Sequence, residues 1–191
     1  MTTRVAGLPG SLRAESTTRV AVATALETAA DHGAETDLID LRSLSLPVYD
    51  GDRGAAGDAD RLTQRLERAD SVVLGTPVYH GSYSSPLKTA LDYSGFDEFE
   101  NTTVGLVAVA GGSFPITALD HLRSVMRSLG AWVVPHQAAV PNASDAIDGD
   151  RIVEDDVAER VRTLGVRVVE YASIQPDPLS FEGEHNVGAD D

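Results

Sequence analysis

The chain has 191 residues, no cysteine and a formal net charge of -15, from 30 acidic and 15 basic side chains. This length suits one domain with a full core, and the lack of cysteine excludes disulfides, iron–sulfur clusters and thiol catalysis, so redox chemistry requires a bound cofactor. The negative charge argues against nucleic-acid binding, which depends on neutralising phosphates.

The acidic residues are spread along the whole chain, and Lys88 is the single lysine. A dispersed acidic surface is typical of proteins from a high-salt cytoplasm; a docking face for a basic partner is the alternative. No basic segment followed by an apolar run opens the chain, and no run reaches transmembrane length, so we expect a cytoplasmic protein that binds no membrane.

The opening stretch reads as strand, loop and helix. Val5 and Ala6 lead through a loop containing Gly10 into a helix rich in Ala and Val. The free amides and the dipole at a helix N-terminus attract a phosphate, and Ser11, Ser16 and Arg13 can add donors. A plain turn with a serine cap is the alternative. Neither common glycine fingerprint is present, which favours a single terminal phosphate over a dinucleotide or a triphosphate.

Helices and strands then alternate. The pattern predicts a helix over residues 20–30 that ends at His32-Gly33, a strand over 35–41, and a helix over 59–68. The Pro/Gly/Asp-rich stretch between the last two reads as a surface loop.

Residues 71–76 form a continuous apolar run, as expected for a central parallel strand covered on both faces. After the loop that follows, Pro86 begins a helix. A fourth strand over residues 103–110 ends in Gly111-Gly112-Ser113.

The rest of the chain predicts a helix over 116–129, a fifth strand over 131–134, a turn-rich segment over 141–150 and a last helix over 155–171. No repeat or linker divides the chain. We expect one domain over residues 1–172 and an acidic tail over 173–191.

Five strands alternating with five helices predict a three-layer α/β/α domain with a parallel sheet and right-handed crossovers. Ligands of such sheets bind beyond the carboxyl ends of the strands. The loops after strands one, three and four are rich in Gly and Ser, and we expect them to converge on one site.

Two stretches carry a family resemblance: residues 10–16, Gly-Ser-Leu-Arg-Ala-Glu-Ser, and residues 77–82, Pro-Val-Tyr-His-Gly-Ser, the latter followed by Leu-Lys-Thr-Ala-Leu-Asp at 87–92. From Arg4 to about Pro135 the chain resembles the NADPH-dependent FMN reductase family of the flavodoxin-like fold, whose members include quinone, azo-dye and chromate reductases. His80 stands where that family usually has Asn.

The resemblance implies the strand order 2-1-3-4-5, FMN and NAD(P)H as cofactors, and a small-molecule electron acceptor. It also implies a homodimer or homotetramer, for which the helix after Pro86 with Tyr93 and Phe96, or Leu119, Leu122 and Val125 on the fourth helix, are candidate contacts. The residues implied to bind FMN are Ser11, Arg13, Ser16, Thr17, Thr18, Pro77, Val78, Tyr79, His80, Gly81, Ser82, Gly111, Gly112 and Ser113.

Single residues of the second loop allow more than one interpretation. Gly81 lets the backbone approach a flat ring closely. Tyr79 could stack on the ring or pack half-buried on its own loop, and His80 could be a proton donor or a plain surface residue. Because the flavin carries the hydride chemistry, no catalytic side chain is predicted.

Other charged residues read as structural. Lys88 and Asp92 have the spacing of an exposed helical ion pair. The remaining histidines, His32, His121, His136 and His185, lack metal-ligand spacing, so no metal is predicted.

Three functions are compatible with these features. The first is an FMN-dependent NAD(P)H oxidoreductase that passes electrons to a quinone-like or other small acceptor. The second is a flavodoxin-like electron carrier that docks on a protein partner. The third is a domain without redox activity that binds another phosphorylated ligand.

Overall fold

The computed structural model describes residues 2–172. The strands are β1 (Arg4–Pro9), β2 (Glu35–Leu38), β3 (Ser71–Pro77), β4 (Thr103–Val109), β5 (Trp132–Val133), β6 (Ala138–Val140), β7 (Ile147–Asp148) and β8 (Arg151–Ile152). The α-helices are α1 (Thr17–Asp31), α2 (Ala59–Leu66), α3 (Ser85–Asp92), α4 (Phe96–Phe99), α5 (Ile116–Ser128), α6 (Ala143–Ala146) and α7 (Asp155–Glu170).

The main sheet is parallel and has the strand order β2-β1-β3-β4-β5, which confirms the predicted flavodoxin-like fold. Strands β3 and β4 are fully buried. Their side chains alternate between two cores, one with α1 and α7 and the other with α2, α3 and α5. Helices therefore cover both faces, and the carboxyl ends of β1, β3 and β4 meet at one edge.

The fifth strand position is divided between two short strands. β5 pairs with the start of β4, at Thr103 and Val104, as predicted. β6 pairs with its end, from Val107 to Val109, and the sequence did not predict it. Because β6 lies beside the last residues of β4, it brings the segment after residue 140 to the carboxyl edge.

Several smaller predictions were wrong. β2 ends at Leu38, not at residue 41, because Leu41 begins a 3₁₀ turn capped by Asp40. The described chain holds seven α-helices instead of five, since α4 and α6, of four residues each, have too little length for a periodic signal. The β7–β8 hairpin was also missed.

Two of the proposed contacts between copies are excluded by burial. Leu119 and Leu122 are fully buried beneath α5, where they pack against the sheet. Phe96 remains exposed, and Tyr93 packs edge-on against Tyr49 with ring centroids 5.2 Å apart. Helix α3 has eight residues, and Ser84 caps it.

Helix α1 approaches the sheet closely enough to fix where its first turn lies. A Cβ atom placed on Gly75 would come within 2.3 Å of Val22, and one on Gly7 within 2.7 Å of the same side chain. Glycine at both strand positions therefore sets the height of α1 above β1 and β3.

The predicted tail, 173–191, lies outside the described residues. Between residues 2 and 172 no helix is both long and apolar enough to cross a membrane.

Candidate functional site

A cleft of about 1000 Å³ opens at the carboxyl edge of the sheet. It is bordered by the β1–α1 loop, one side of α1, the end of β3, the end of β4, and the α6 to β8 segment. Its lining residues are Ser11, Arg13, Ala14, Glu15, Ser16, Thr17, Thr18, Arg19, Val20, Ala23, Glu27, Pro77, Val78, Tyr79, Val109, Ala110, Gly111, Ala143, Ser144, Ile147, Gly149 and Asp150.

The first turn of α1 faces this cleft. Ser16 is the N-cap, and its Oγ accepts a 3.0 Å hydrogen bond from the amide of Arg19. The amides of Thr17 and Thr18 precede the first intrahelical hydrogen bond and have no acceptor in the helix. They are donors available to an anion.

Positive charge at this turn is not neutralised locally. Within residues 2–172, neither Arg13 nor Arg19 has a carboxylate within 4.0 Å. Ser11 is buried, and its Oγ accepts from the amide of Arg13 at 3.4 Å, which leaves its own hydrogen free to donate. The donor set suits a phosphate.

The β1–α1 loop is held by buried hydrogen bonds to its neighbours. The Gly10 amide donates to the Gly75 carbonyl at 2.7 Å, and the Ser84 hydroxyl donates to the Gly10 carbonyl at 2.6 Å. A Cβ atom on Gly10 would lie 2.7 Å from that of Leu87. Gly10 thus allows close packing against α3, and the residues that line the cleft begin after it, at Ser11.

The loop after β3 folds into a tight hairpin over residues 79–82. The amide of Tyr79 donates to the Ser82 carbonyl at 3.0 Å, and the reverse bond measures 3.1 Å. His80 and Gly81 have φ values of 52° and 77°, as a two-residue hairpin of the type I′ kind requires. Among the amides of Val78 to Ser82, only those of His80 and Gly81 are uncommitted within the described chain.

The loop after β4 presents open backbone. A Cβ atom on Gly111 or Gly112 would meet no heavy atom within 4 Å. Main-chain bonds fix this loop to the chain after β6: the Asn142 amide donates to the Gly112 carbonyl at 3.0 Å, and the Ala143 amide donates to the Ala110 carbonyl at 2.9 Å.

The structure brings nine of the predicted residues into the cleft lining: Ser11, Arg13, Ser16, Thr17, Thr18, Pro77, Val78, Tyr79 and Gly111. His80, Gly81, Ser82, Gly112 and Ser113 adjoin it in sequence but are not lining residues. Sequence reasoning missed the wall formed by Ala143 to Asp150 and, on α1, Ala23 and Glu27. The turn-rich composition of residues 141–150 was the signal available for that wall.

A smaller cavity of about 260 Å³ lies at the opposite edge, between the starts of β1 and β2 and the end of α2. Ion pairs of Arg4 with Glu35 and of Arg65 with Asp37 cross it. The hydrogen bond from Arg65 to Asp37 raises the pKa of the guanidinium. These paired charges join β2 to its neighbours. Because they already have partners, the smaller cavity offers fewer free charges to a ligand, and the cleft at the carboxyl edge is the candidate site.

The described histidines outside the hairpin have structural partners. His32 Nδ1 lies 2.8 Å from the Thr28 carbonyl, His136 Nε2 lies 2.9 Å from the Arg160 carbonyl, and His121 Nδ1 lies 2.9 Å from Ser82 Oγ. Lys88 and Asp92 form the predicted ion pair. In the part of the chain that the structure describes, no three potential metal ligands group together.

Sequence comparison identifies the family of this chain. The sequence model of the NADPH-dependent FMN reductase family matches residues 3–145. The chain belongs to this family. It is 34% identical over 155 residues to an FMN-dependent NADPH-azoreductase of Staphylococcus aureus, strain USA300, and the match covers 76% of this chain and 82% of the relative.

Solved structures show the same fold. An NADH:FMN oxidoreductase (EMOB) in its apo form superposes with a TM-score of 0.74 at 24% identity, with 92% of each chain covered. The NAD(P)H:(acceptor) oxidoreductase FerB from Paracoccus denitrificans superposes at 0.73 and 22% identity, covering 90% of this chain and 97% of that one.

Family membership makes this chain an oxidoreductase with FMN and NADPH as cofactors. The cleft fits that assignment because a helix N-terminus with free amides and the open backbone at Gly111 border the same space. A volume of about 1000 Å³ is at the upper end of the range usual for cofactor pockets.

Proposed function

We propose that the cleft binds FMN, with its phosphate at the first turn of α1 and its ring between the 79–82 hairpin and the loop that begins at Gly111, and that the enzyme reduces a small quinone-like acceptor. When bound, FMN would supply the hydride chemistry that the cysteine-free chain cannot perform. The observation that carries the proposal is the convergence of three loops around unneutralised Arg13 and the free amides of α1.

The proposed phosphate-binding site has three kinds of hydrogen-bond donor. The amides of Thr17 and Thr18 supply fixed main-chain donors, Ser11 and Ser16 supply hydroxyls whose oxygens already accept a backbone bond, and Arg13 supplies charge. Because both serines are buried and held at the start of a helix, the proposed phosphate-binding site is preorganised, and little side-chain ordering is needed on binding.

The proposed ring site relies on main-chain atoms. The amides of His80 and Gly81 can donate to the pyrimidine edge of the ring, where negative charge collects on reduction. Gly111 and Gly112 leave room for a flat group. Tyr79, 51% exposed, stands at the mouth, where it can shield the ring from water and contact a planar acceptor.

The acceptor is proposed from this geometry and from the relatives. An open mouth with an exposed aromatic residue suits a small conjugated molecule, and the Staphylococcus aureus relative is an azoreductase. We propose quinones first and azo compounds second.

The absorption spectrum of purified protein before and after FMN addition, together with steady-state NADPH oxidation in the presence of FMN and a quinone, tests the proposal. We expect bound flavin bands and acceptor-dependent turnover. A protein that binds FMN but turns over only with a separate reductase would support the alternative of an electron carrier. A protein that gains no flavin absorbance would refute both.

The acidic composition bears on where and how the enzyme works. With a net charge of -15, we propose that it functions in a salt-rich cytoplasm as a homodimer or homotetramer, with the exposed Phe96 and the Tyr49–Tyr93 pair in the contact. Salt would screen the repulsion between like-charged copies.

A further inference from the structure

The 79–82 hairpin makes one side-chain hydrogen bond to the rest of the described fold, at Ser82. Its base is anchored where the Val78 amide donates to the Val109 carbonyl at 2.8 Å. Beyond that base, the hairpin projects with Tyr79 and His80 exposed. The two bonds between Tyr79 and Ser82 close the turn on itself. After the turn, Ser84 anchors the chain to Thr76 and Gly10.

Between these two anchors, helix α5 supplies one further contact through His121. Its Nδ1 lies 2.9 Å from the Ser82 Oγ, and its ring meets the Tyr83 ring edge-on, with centroids 6.5 Å apart. In the described chain this is the only side-chain hydrogen bond formed by residues 78–83. Position 81 also approaches α5, since a Cβ atom there would lie 3.6 Å from Thr117 Oγ1.

We propose that His121 is a positioning residue of the flavin site: through Ser82 it holds the hairpin against α5 and so fixes the amides of His80 and Gly81 where the ring binds. This rests on the proposed function, because it requires the ring to contact the hairpin. His121 itself is not among the residues that line the cleft, so its effect is indirect.

The mechanism predicts a signature that separates it from phosphate binding. Loosening the hairpin acts on the ring, which FMN and riboflavin share. Loss of His121 should therefore weaken both flavins by the same factor, whereas loss of a phosphate donor weakens FMN alone. One hydrogen bond of this kind corresponds to about three- to tenfold in affinity.

The chain allows a graded set of variants. His121→Ala removes the polar atom, His121→Asn can place an amide near the position of Nδ1, and Ser82→Ala removes the partner. His32→Ala is the matched control, because His32 is also exposed and bonded through Nδ1, to Thr28 at the far end of α1.

Dissociation constants for FMN and riboflavin, measured by fluorescence titration of apoprotein, and the visible absorption of saturated protein test the proposal. We expect His121→Ala and Ser82→Ala to weaken both flavins about three- to tenfold and to alter the bound flavin spectrum. The double variant should be no worse than either single variant, His121→Asn should recover most of the affinity, and His32→Ala should match wild type.

Three results would overturn the inference: unchanged flavin affinity in His121→Ala, a loss in Ser82→Ala that His121→Ala does not share, or additive losses in the double variant. Thermal unfolding of each apoprotein identifies general destabilisation. A variant that is only destabilised would have a lower melting temperature, and its loss of flavin affinity would not depend on whether the His121–Ser82 partner is present. If wild type itself binds no flavin, the proposed function fails, whereas normal wild-type binding with unaffected variants refutes only the role of His121.

Discussion

The Ser84 hydroxyl donates a 2.6 Å hydrogen bond to the carbonyl of Gly10, a residue 74 positions earlier. The same oxygen caps α3 by accepting from the Leu87 amide, and the Ser84 amide donates to Thr76 Oγ1 at the end of β3. One fully buried serine thus joins the β1–α1 loop, β3 and α3. The positions of two of the three loops around the cleft depend on it.

Ser84→Ala should destabilise the protein by about 2–4 kcal/mol, because it removes a helix cap, worth about 1 kcal/mol, and leaves the Gly10 carbonyl buried without a donor. Urea unfolding of the apoprotein measures the change. Ser85→Ala, at the exposed neighbouring position, is the control and should change stability little. Equal stability of both variants would contradict the role assigned to Ser84.

Arg13→Ala should weaken FMN by about ten- to a hundredfold and leave riboflavin unaffected, because a charge-assisted hydrogen bond contributes about 1.5–3 kcal/mol. Ser11→Ala should act in the same direction but less, since the amides of α1 remain. Fluorescence titration in molar salt measures both. Arg127→Ala, at the other end of α5 from the cleft, is the control. Equal affinity of wild type for the two flavins would remove the β1–α1 loop from the proposed site.

Gly111→Ala should leave the apoprotein as stable as wild type, because the added methyl group meets nothing within 4 Å, yet it should weaken FMN. Gly10→Ala is the contrasting variant: its methyl group would lie 2.7 Å from Leu87, and such overpacking costs about 1–3 kcal/mol. Melting temperatures and FMN titrations of the two variants should therefore show opposite patterns. FMN affinity unchanged in Gly111→Ala would place the ring elsewhere.

His80→Asn should retain FMN affinity and kcat, because the positive φ of this turn position, which Asn also tolerates, explains the residue better than proton transfer does. His80→Val should weaken FMN, since a β-branched side chain disfavours that conformation. Steady-state kinetics with NADPH and a quinone separate the two interpretations. A large loss of kcat in His80→Asn, with unchanged FMN binding, would instead support proton transfer by the His80 imidazole.

Phe96→Asp should shift the protein toward monomer if the exposed Phe96 and the Tyr49–Tyr93 pair form a contact between copies. Sedimentation in molar salt is the measurement, because screening over about 3 Å at 1 M removes the repulsion between acidic surfaces. Val153→Asp, another exposed apolar position, is the control. Wild type that sediments as a 20.2 kDa monomer in molar salt would contradict the association.

The main strands and helices could be predicted from the sequence because each depends on a pattern of neighbouring residues. The apolar run of β3 and the alternation of strands with helices specify a parallel sheet without knowledge of distant contacts. β6 was not predicted because Ala138–Val140 has three residues, and its identity as a strand comes only from pairing with β4. The end of β2 was misplaced because the Asp40 cap competes with continued pairing.

The candidate site was predicted where a loop carries its own chemistry. Ser11, Arg13 and Ser16 predict an anion site by residue type and order, and all three line the cleft. The wall from Ala143 to Asp150 carries no such chemistry, and its place in the cleft follows from backbone bonds to Ala110 and Gly112. The role of His121 likewise depends on a contact across 39 residues, which no single-sequence pattern encodes.

The division of the cleft between its two walls has a consequence for biosynthesis. The loops after β1 and β3 belong to the first half of the chain, whereas the facing wall runs from Ala143 to Asp150. A nascent chain that has emerged only through β4 presents an incomplete cavity, so flavin binding at the proposed site would require synthesis of the β7–β8 hairpin around Gly149. Once bound, the cofactor would bridge early and late segments, so cellular flavin supply would set how much newly made protein persists in its folded form.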